Sequence, residues 1–260
     1  MAQIQTDLFR LFLRNAVRRC HATQILLMFG RDPLSAAFVV CRDTTAYGVY
    51  QIFDATCELP TLFRPCLVNA KKLLKAIPYS PVIELSFDHE NGGRLYVMAG
   101  QYVAEVEATE VSAGELMDGD TYNPVPEITA LAKKLGYGIC EFPGSSRVRF
   151  VFCEAEANSV RDFLSVETKH RVTVRRVRPK ELVIAGRRAQ LYLDLTEVRC
   201  EGTTHNDVTF TVPPFPLQRS GELSLAVYPS AVLFRQPHVD LVVWERSIHR
   251  WREDRWPFPL

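Results

Sequence analysis

Residues Phe63–Ala108 read FRPCLVNAKKLLKAIPYSPVIELSFDHENGGRLYVMAGQYVAEVEA, and the pattern in them decides the fold. Arg64–Val68 is a short extended run. Asn69 then serves as a helix cap for Ala70–Ile77, and Pro78 stops that helix because its ring clashes with the preceding turn. Three strand-like runs follow, Val82–Phe87, Arg94–Ala99 and Gln101–Glu107. Asn91-Gly92-Gly93 supplies the positive backbone dihedrals of a tight hairpin, and Gly100 marks the next turn. The predicted unit is strand, helix, three strands. At roughly 100° per residue its helix places Ala70, Leu73, Leu74 and Ile77 on one face and Lys71, Lys72 and Lys75 on the other.

The preceding residues repeat the pattern. Met1–Gln5 reads as a strand, Asp7 as a cap, and Leu8–Cys20 as a helix. Arg10, Arg14 and Arg18 form one stripe on it, opposite Leu8, Phe9, Phe12, Leu13 and Ala16. Gln24–Phe29, Ser35–Arg42 and Gly48–Phe53 are the three strands.

The pattern restarts with Arg147–Cys153 as a strand and Ala155–Ser165 as a helix, followed by Arg171–Val177, Glu181–Ala185 and Ala189–Glu197. Asp207–Val212 is a further candidate strand. A fourth, weakest version places strands at Leu223–Val227 and Val239–Glu245 around a short helix at Pro229–Gln236, with Ile248–Arg252 as one more extended candidate. Four copies in one order outweigh any single one. The fold class read from them is α+β: two tandem domains, each a doubled β-α-β-β-β unit with its helices packed on one face of the sheets. The domains are 1–108 and 146–260. Between them, 109–145 carries six acidic residues (Glu110, Glu115, Asp118, Asp120, Glu127, Glu141) against Lys133 and Lys134, and reads as an acidic connector with one short helix near Glu127–Leu135.

Composition excludes more than it selects. At 260 residues and 47% apolar content the chain can bury two cores, and a net charge of +1 means any nucleic-acid affinity must come from segregated charge. No apolar run is long enough to span a bilayer and no leader pattern opens the chain, so no membrane association is expected. The seven cysteines lack C-x-x-C spacing, most sit inside strand or helix patterns, and they read as buried thiols of a reducing, intracellular compartment, nucleus or cytoplasm according to source. The six histidines show no metal-ligand spacing, and neither GxxxxGK[ST] nor GxGxxG occurs, so no metal, cofactor or nucleotide site is expected. Cys20 and His21 adjoin on a helix and diverge by about 100°, which prevents a nucleophile–base pair. No catalytic residues are assigned.

This layout of doubled units, basic helices and acidic connector resembles the DNA sliding clamps. The closest type is the two-domain one of proliferating cell nuclear antigen, the checkpoint clamp subunits and the bacteriophage clamps. LVNAKKLLKAI with its three strands also resembles the repeated unit of the bacterial clamp. The resemblance implies a ring-forming processivity factor for DNA replication and repair, a homotrimer or a heterotrimeric ring, with sheets outside and basic helices around duplex DNA. Its implied partners are a DNA polymerase, a clamp loader and client peptides. The residues it assigns to non-specific phosphate contact are Arg10, Arg14, Arg18, Lys71, Lys72 and Lys75, with Arg161, Lys169 and Arg235 as a sparser second set. Clients are expected in an apolar groove between the domains, bordered by the connector.

Two other readings compete. Basic residues on the outer face of an amphipathic helix are commonly only solubilising. Gln5-Thr6-Asp7-Leu8-Phe9 also resembles the short peptide by which bacterial proteins dock on their clamp, which would make the chain an adaptor, although Leu8 and Phe9 are wanted by the core of the first helix. The C-terminal Trp244, Trp251 and Trp256, with Arg250, Arg252 and Arg255, are a candidate aromatic-basic nucleic-acid patch, ranked below the reading of Trp244 as strand core followed by a tail that packs on the sheet or on a partner.

Overall fold

The computed structural model describes residues 1–29, 34–42, 45–57, 64–89, 93–111, 128, 131, 135, 148–178, 181–194, 197–200, 208–228 and 231–245. The chain forms two compact units, Met1–Val40 with Val49–Leu135, and Cys41–Gly48 with Gly136–Leu260.

The strands wholly or mainly in the first unit are β1 (Ala2–Gln5), β2 (Gln24–Phe29), β3 (Leu34–Arg42), β4 (Thr45–Phe53), β5 (Ala55–Cys57), β6 (Arg64–Asn69), β7 (Val82–Asp88), β8 (Arg94–Ala99) and β9 (Tyr102–Glu110). They lie in the order β4-β3-β2-β6-β9-β8-β7-β1-β5. The two predicted copies thus meet where β2 pairs antiparallel with β6, Ile25 opposite Val68. Alternation sends Ile4, Ile83, Leu85, Leu95, Val97 and Val106 into the core, while Gln3, Glu84, Glu105 and Glu107 point away from it.

Helices α1 (Thr6–Arg14) and α2 (Ala70–Ala76) are in contact with each other. Asn69 caps α2 as its sequence position predicts, its Oδ1 accepting from the N–H groups of Lys71 at 3.1 Å and Lys72 at 3.0 Å. Asp7 does not cap α1. That helix begins at Thr6, two residues earlier than expected, the Thr6 N–H donating to the Pro81 carbonyl. Its C-terminal end widens into a π turn, Asn15–Arg19, closed by Cys20 N–H on the Asn15 carbonyl at 3.0 Å. Phe9 and Phe12 anchor α1 in a ring cluster, with Phe9–Phe53 centroids 5.1 Å apart and Phe12–Phe38 at 5.6 Å. Gly93, at φ +73°, is required by its surroundings, since a Cβ there would meet the Ala108 carbonyl oxygen at 2.3 Å.

The second unit contains β10 (Val148–Phe152), α3 (Glu154–Val166), β11 (Arg171–Arg178), β12 (Glu181–Ala185), β13 (Gln190–Asp194), β14 (Glu197–Cys200), β15 (Val208–Thr211), β16 (Leu223–Val227), β17 (Ala231–Gln236) and β18 (Val239–Glu245). Its strands run β14-β10-β16-β17-β18 and, separately, β13-β12-β11-β15. The helix predicted at Pro229–Gln236 is instead the strand β17, paired with β16 through Val227 opposite Val232 and with β18 through Phe234 opposite Leu241. Six residues are too few for a stable helix, and Ala231, Val232, Leu233 and Phe234 are all buried, as a central strand requires. Gln236, also buried, ties the segment before β16 to this hairpin: its Oε1 accepts from the Gln218 N–H at 2.8 Å and its Nε2 donates to the Gln218 carbonyl at 3.1 Å.

Of the connector, only Ile128, Leu131 and Leu135 are described in its interior. The first two are helical and buried, in keeping with the short helix expected there. The Ile248–Arg252 segment, the tail residues Trp251 and Trp256, and the client groove expected beside the connector lie outside the described residues. Cys20 and Cys66 are buried thiols outside any disulfide, as expected, and burial pushes the Cys66 thiol well up. Cys153 departs from that expectation, being an exposed free thiol at the start of α3.

The β17–β18 hairpin carries one titration of consequence. Asp240 is buried, and burial raises its carboxyl to about 6 against the pull of Arg235, whose Nε donates to it at 3.0 Å. A carboxyl raised above its unfolded value stabilises the fold in its protonated form, so that contribution is full below about pH 4 and is lost as pH rises through about 6. Asp240→Asn is therefore expected to flatten the acid side of the stability profile by up to about 3 kcal/mol between pH 4 and 7. Urea unfolding of both chains at the two pH values measures it.

Candidate nucleic-acid interface

The outer surfaces of α1 and α2 carry the cations that the sequence assigns to DNA. Arg14, Arg18, Lys71, Lys72 and Lys75 are all exposed. Arg19 joins them, which the sequence reading missed. A uniform helical angle puts Arg19 beside Phe12, and the π turn changes the phase before that residue is reached. Among the exposed residues of the two helices the one acid is Asp7. Lys72 reaches Glu107 at 3.1 Å, but with both side chains largely in solvent the pair contributes at most about 1 kcal/mol and leaves the lysine available.

Arg10 has a different role. Its guanidinium donates to the Ile77 carbonyl at 2.5 Å and sits 3.9 Å over the Tyr79 ring, so it staples α1 to the end of α2. Tyr102 reinforces the same end, its hydroxyl donating to the Ala76 carbonyl at 2.9 Å.

Helix α3 of the second unit does not present such a basic surface. Arg161, the only cation of α3, is 8% exposed. Its Nη2 donates to the Gly221 carbonyl and its Nη1 to Asn158 Oδ1 at 2.9 Å, so it is an internal brace. Burial lowers its pKa, opposed by Glu154. The exposed side of α3 offers Glu154, Asn158, Ser159, Asp162 and Ser165. Arg235, expected beside a fourth helix, is on a strand and paired with Asp240. Lys169 is exposed, at φ +67° in the turn after α3. Arg161 and Arg235 therefore drop out of the phosphate-contacting set. Both are already bonded to groups within their own unit.

The adaptor peptide fares no better. Phe9 has no exposed surface, and Gln5 is paired within β1, so Gln5–Phe9 cannot enter another protein's pocket as an extended segment without unfolding. Leu8, expected in the core, is 51% exposed and lies beside Leu11 at 54%. The buried sector of α1 is centred on Phe9, Leu13 and Ala16, and Leu8 falls just outside it.

Among the described residues no group of three potential ligand side chains is placed to hold a metal ion, and no helix is long and apolar enough to cross a membrane.

This arrangement of sheets and helices is the sliding-clamp fold, as comparison with solved structures shows. The beta clamp of Helicobacter pylori, solved with a DNA ligase peptide, matches with a TM-score of 0.58 at 9% identity, covering 95% of this chain and 66% of that one. More specifically, the chain matches the clamps of two-domain length almost end to end. It covers 99% of a chain from the PCNA2–PCNA3 complex of Sulfolobus tokodaii (95% of this chain, 12% identity, TM-score 0.54). It covers 97% of A. fulgidus PCNA, solved with the C-terminal region of FEN-1 (94% of this chain, 13% identity, TM-score 0.55). The chain thus spans about two thirds of the bacterial clamps and nearly all of the archaeal ones. No protein-family model matches it, and no curated protein matches it in sequence.

Proposed function

We propose that the protein is a ring-forming DNA sliding clamp, a non-enzymatic processivity factor of DNA replication and repair that tethers a polymerase or repair proteins to duplex DNA. The observation that carries this reading is the pair of adjacent helices α1 and α2, which present Arg14, Arg18, Lys71, Lys72 and Lys75 within a clamp fold. A sliding contact needs diffuse positive charge and no reading of base edges, and these flexible exposed side chains supply that. Leu8 and Leu11 interrupt the charge, so each protomer grips phosphate over only part of its helical surface. The clamp loader, the polymerase and client peptides are the partners that follow from the reading.

Two units per chain give six in three copies, the number that closes rings of this kind, and closure pairs exposed sheet edges that would otherwise aggregate. A homotrimer is expected to have a solution mass of three times 29.6 kDa. Light scattering of the purified protein checks this. A strict monomer at all concentrations would remove the homotrimer and leave a heteromeric ring, in which more basic partners make up for α3.

A further inference from the structure

The second unit presents exposed cations beside the C-terminal end of α3 and along one sheet face. The β13-β12-β11-β15 sheet sends Leu182, Ile184, Leu193, Val172 and Val174 into the core. Its opposite face carries a straight cross-strand row, the exposed Arg175 on β11 and Tyr192 on β13 flanking the buried Val183 on β12. Tyr192 is 64% exposed, with its hydroxyl 2.9 Å from Gln190 Oε1. The row spans two strand spacings, roughly 10 Å.

At one end of this face the turn after α3 displays Lys169, β11 begins with Arg171, and the turn between β12 and β13 displays Arg187 and Arg188, all exposed. One buried carboxylate holds the second of these, the turn between β12 and β13. Glu167, at the end of α3, accepts from the backbone N–H groups of Arg187 at 3.2 Å and Arg188 at 2.8 Å. Burial alone would raise this carboxyl. The N–H donors of Arg188, Arg187 and Ala189, with His170 nearby, overcome that and hold it ionised. A Cβ at Gly186 would lie 2.5 Å from Glu167 Cδ, so a larger residue there must displace this carboxylate. The two arginine side chains are thereby left pointing outward from a fixed backbone. Acids of this face, Glu181 and Asp194, pair across β12 and β13 at the far end.

We infer that this face is a second nucleic-acid contact, taking a single strand with its phosphates at Lys169, Arg171, Arg187 and Arg188 and a base stacked on Tyr192. Fixed cations beside an exposed ring on a sheet are the elements of a sequence-tolerant single-strand platform. The row joins Arg175 to Tyr192 across the sheet, and Asp194 lies exposed beyond it. This contact is independent of the helices of the first unit and separable from the clamp reading.

Fluorescence anisotropy with a labelled oligothymidine tests it on the full chain. Arg187→Gln with Arg188→Gln is expected to lower the salt slope by about 1.4, since each single-strand phosphate contact contributes about 0.7. Tyr192→Ala should weaken binding roughly tenfold and Tyr192→Phe should not, because the ring and not the hydroxyl stacks. Thermal unfolding should be unchanged, since the Glu167 bonds use backbone donors. A chain with its α1 and α2 cations reversed, assayed in parallel, should keep its oligothymidine affinity. The inference is overturned if the arginine pair is silent. It is equally overturned if Tyr192→Ala is silent while polyglutamate competes as well as oligothymidine, which would assign the face to an acidic protein.

Discussion

Reversing Arg14, Arg18, Lys71 and Lys75 together to glutamate is expected to lower the salt slope of duplex binding by up to about 3.6, since each lost phosphate contact removes about 0.9. Affinity at physiological salt should fall by two or more orders of magnitude, by the same amount for every DNA sequence, because none of these side chains is required to read a base edge. The melting temperature should hardly move, as all four are exposed and Lys72, with its Glu107 partner, is untouched. The matching reversal on α3 has no cation to reverse, Arg161 being turned inward, so substitutions at Asn158 and Ser159 should be silent for DNA. If the fourfold variant binds duplex as the parent does at 50 mM salt, the helices are solubilising surfaces only.

The second large effect separates two neighbours. Phe9→Ala empties a fully buried site against Phe53 and should destabilise the first unit by about 3–5 kcal/mol. Leu8→Ala removes a side chain that is half in solvent and should stay within about 0.5 kcal/mol. Urea unfolding measures both. Equal costs would mean that the phase of α1 is wrong, and with it the placement of Arg14 and Arg18.

The first unit was largely readable because its signals are local. Asn69 before AKKLLKA, Pro78 after it and Gly100 between two alternating runs each act within a few residues, and the structure keeps the cap, the stop and the turn. The failures come from packing. Arg161 reads as a helix-face cation until its neighbours at one-turn spacing, Ala157 and Leu164, are considered. Both are buried, and that spacing was a usable signal. Arg19 had none, since nothing in NAVRR announces a π turn. The missing fourth helix is a case of repeat analogy overriding composition: Ala231–Gln236 is short, apolar and flanked by paired strands, which favours β17 over a helix. Leu8 lies at the margin of the buried sector, where a 40° error decides between core and solvent.

The reading of the chain as a clamp implies a topological link to DNA, which salt cannot dissolve. The direct measurement threads the protein onto a linear duplex with one blocked end, blocks the other end, and washes at 1 M salt, where the Debye length is about 3 Å and surface charge contacts are screened. Cutting the duplex between the blocks then opens an exit. A clamp is predicted to stay through the wash and to leave within seconds to minutes of the cut. Complete loss during the wash, with or without blocked ends, would contradict the account and mark the protein as an electrostatic binder that merely shares the clamp fold.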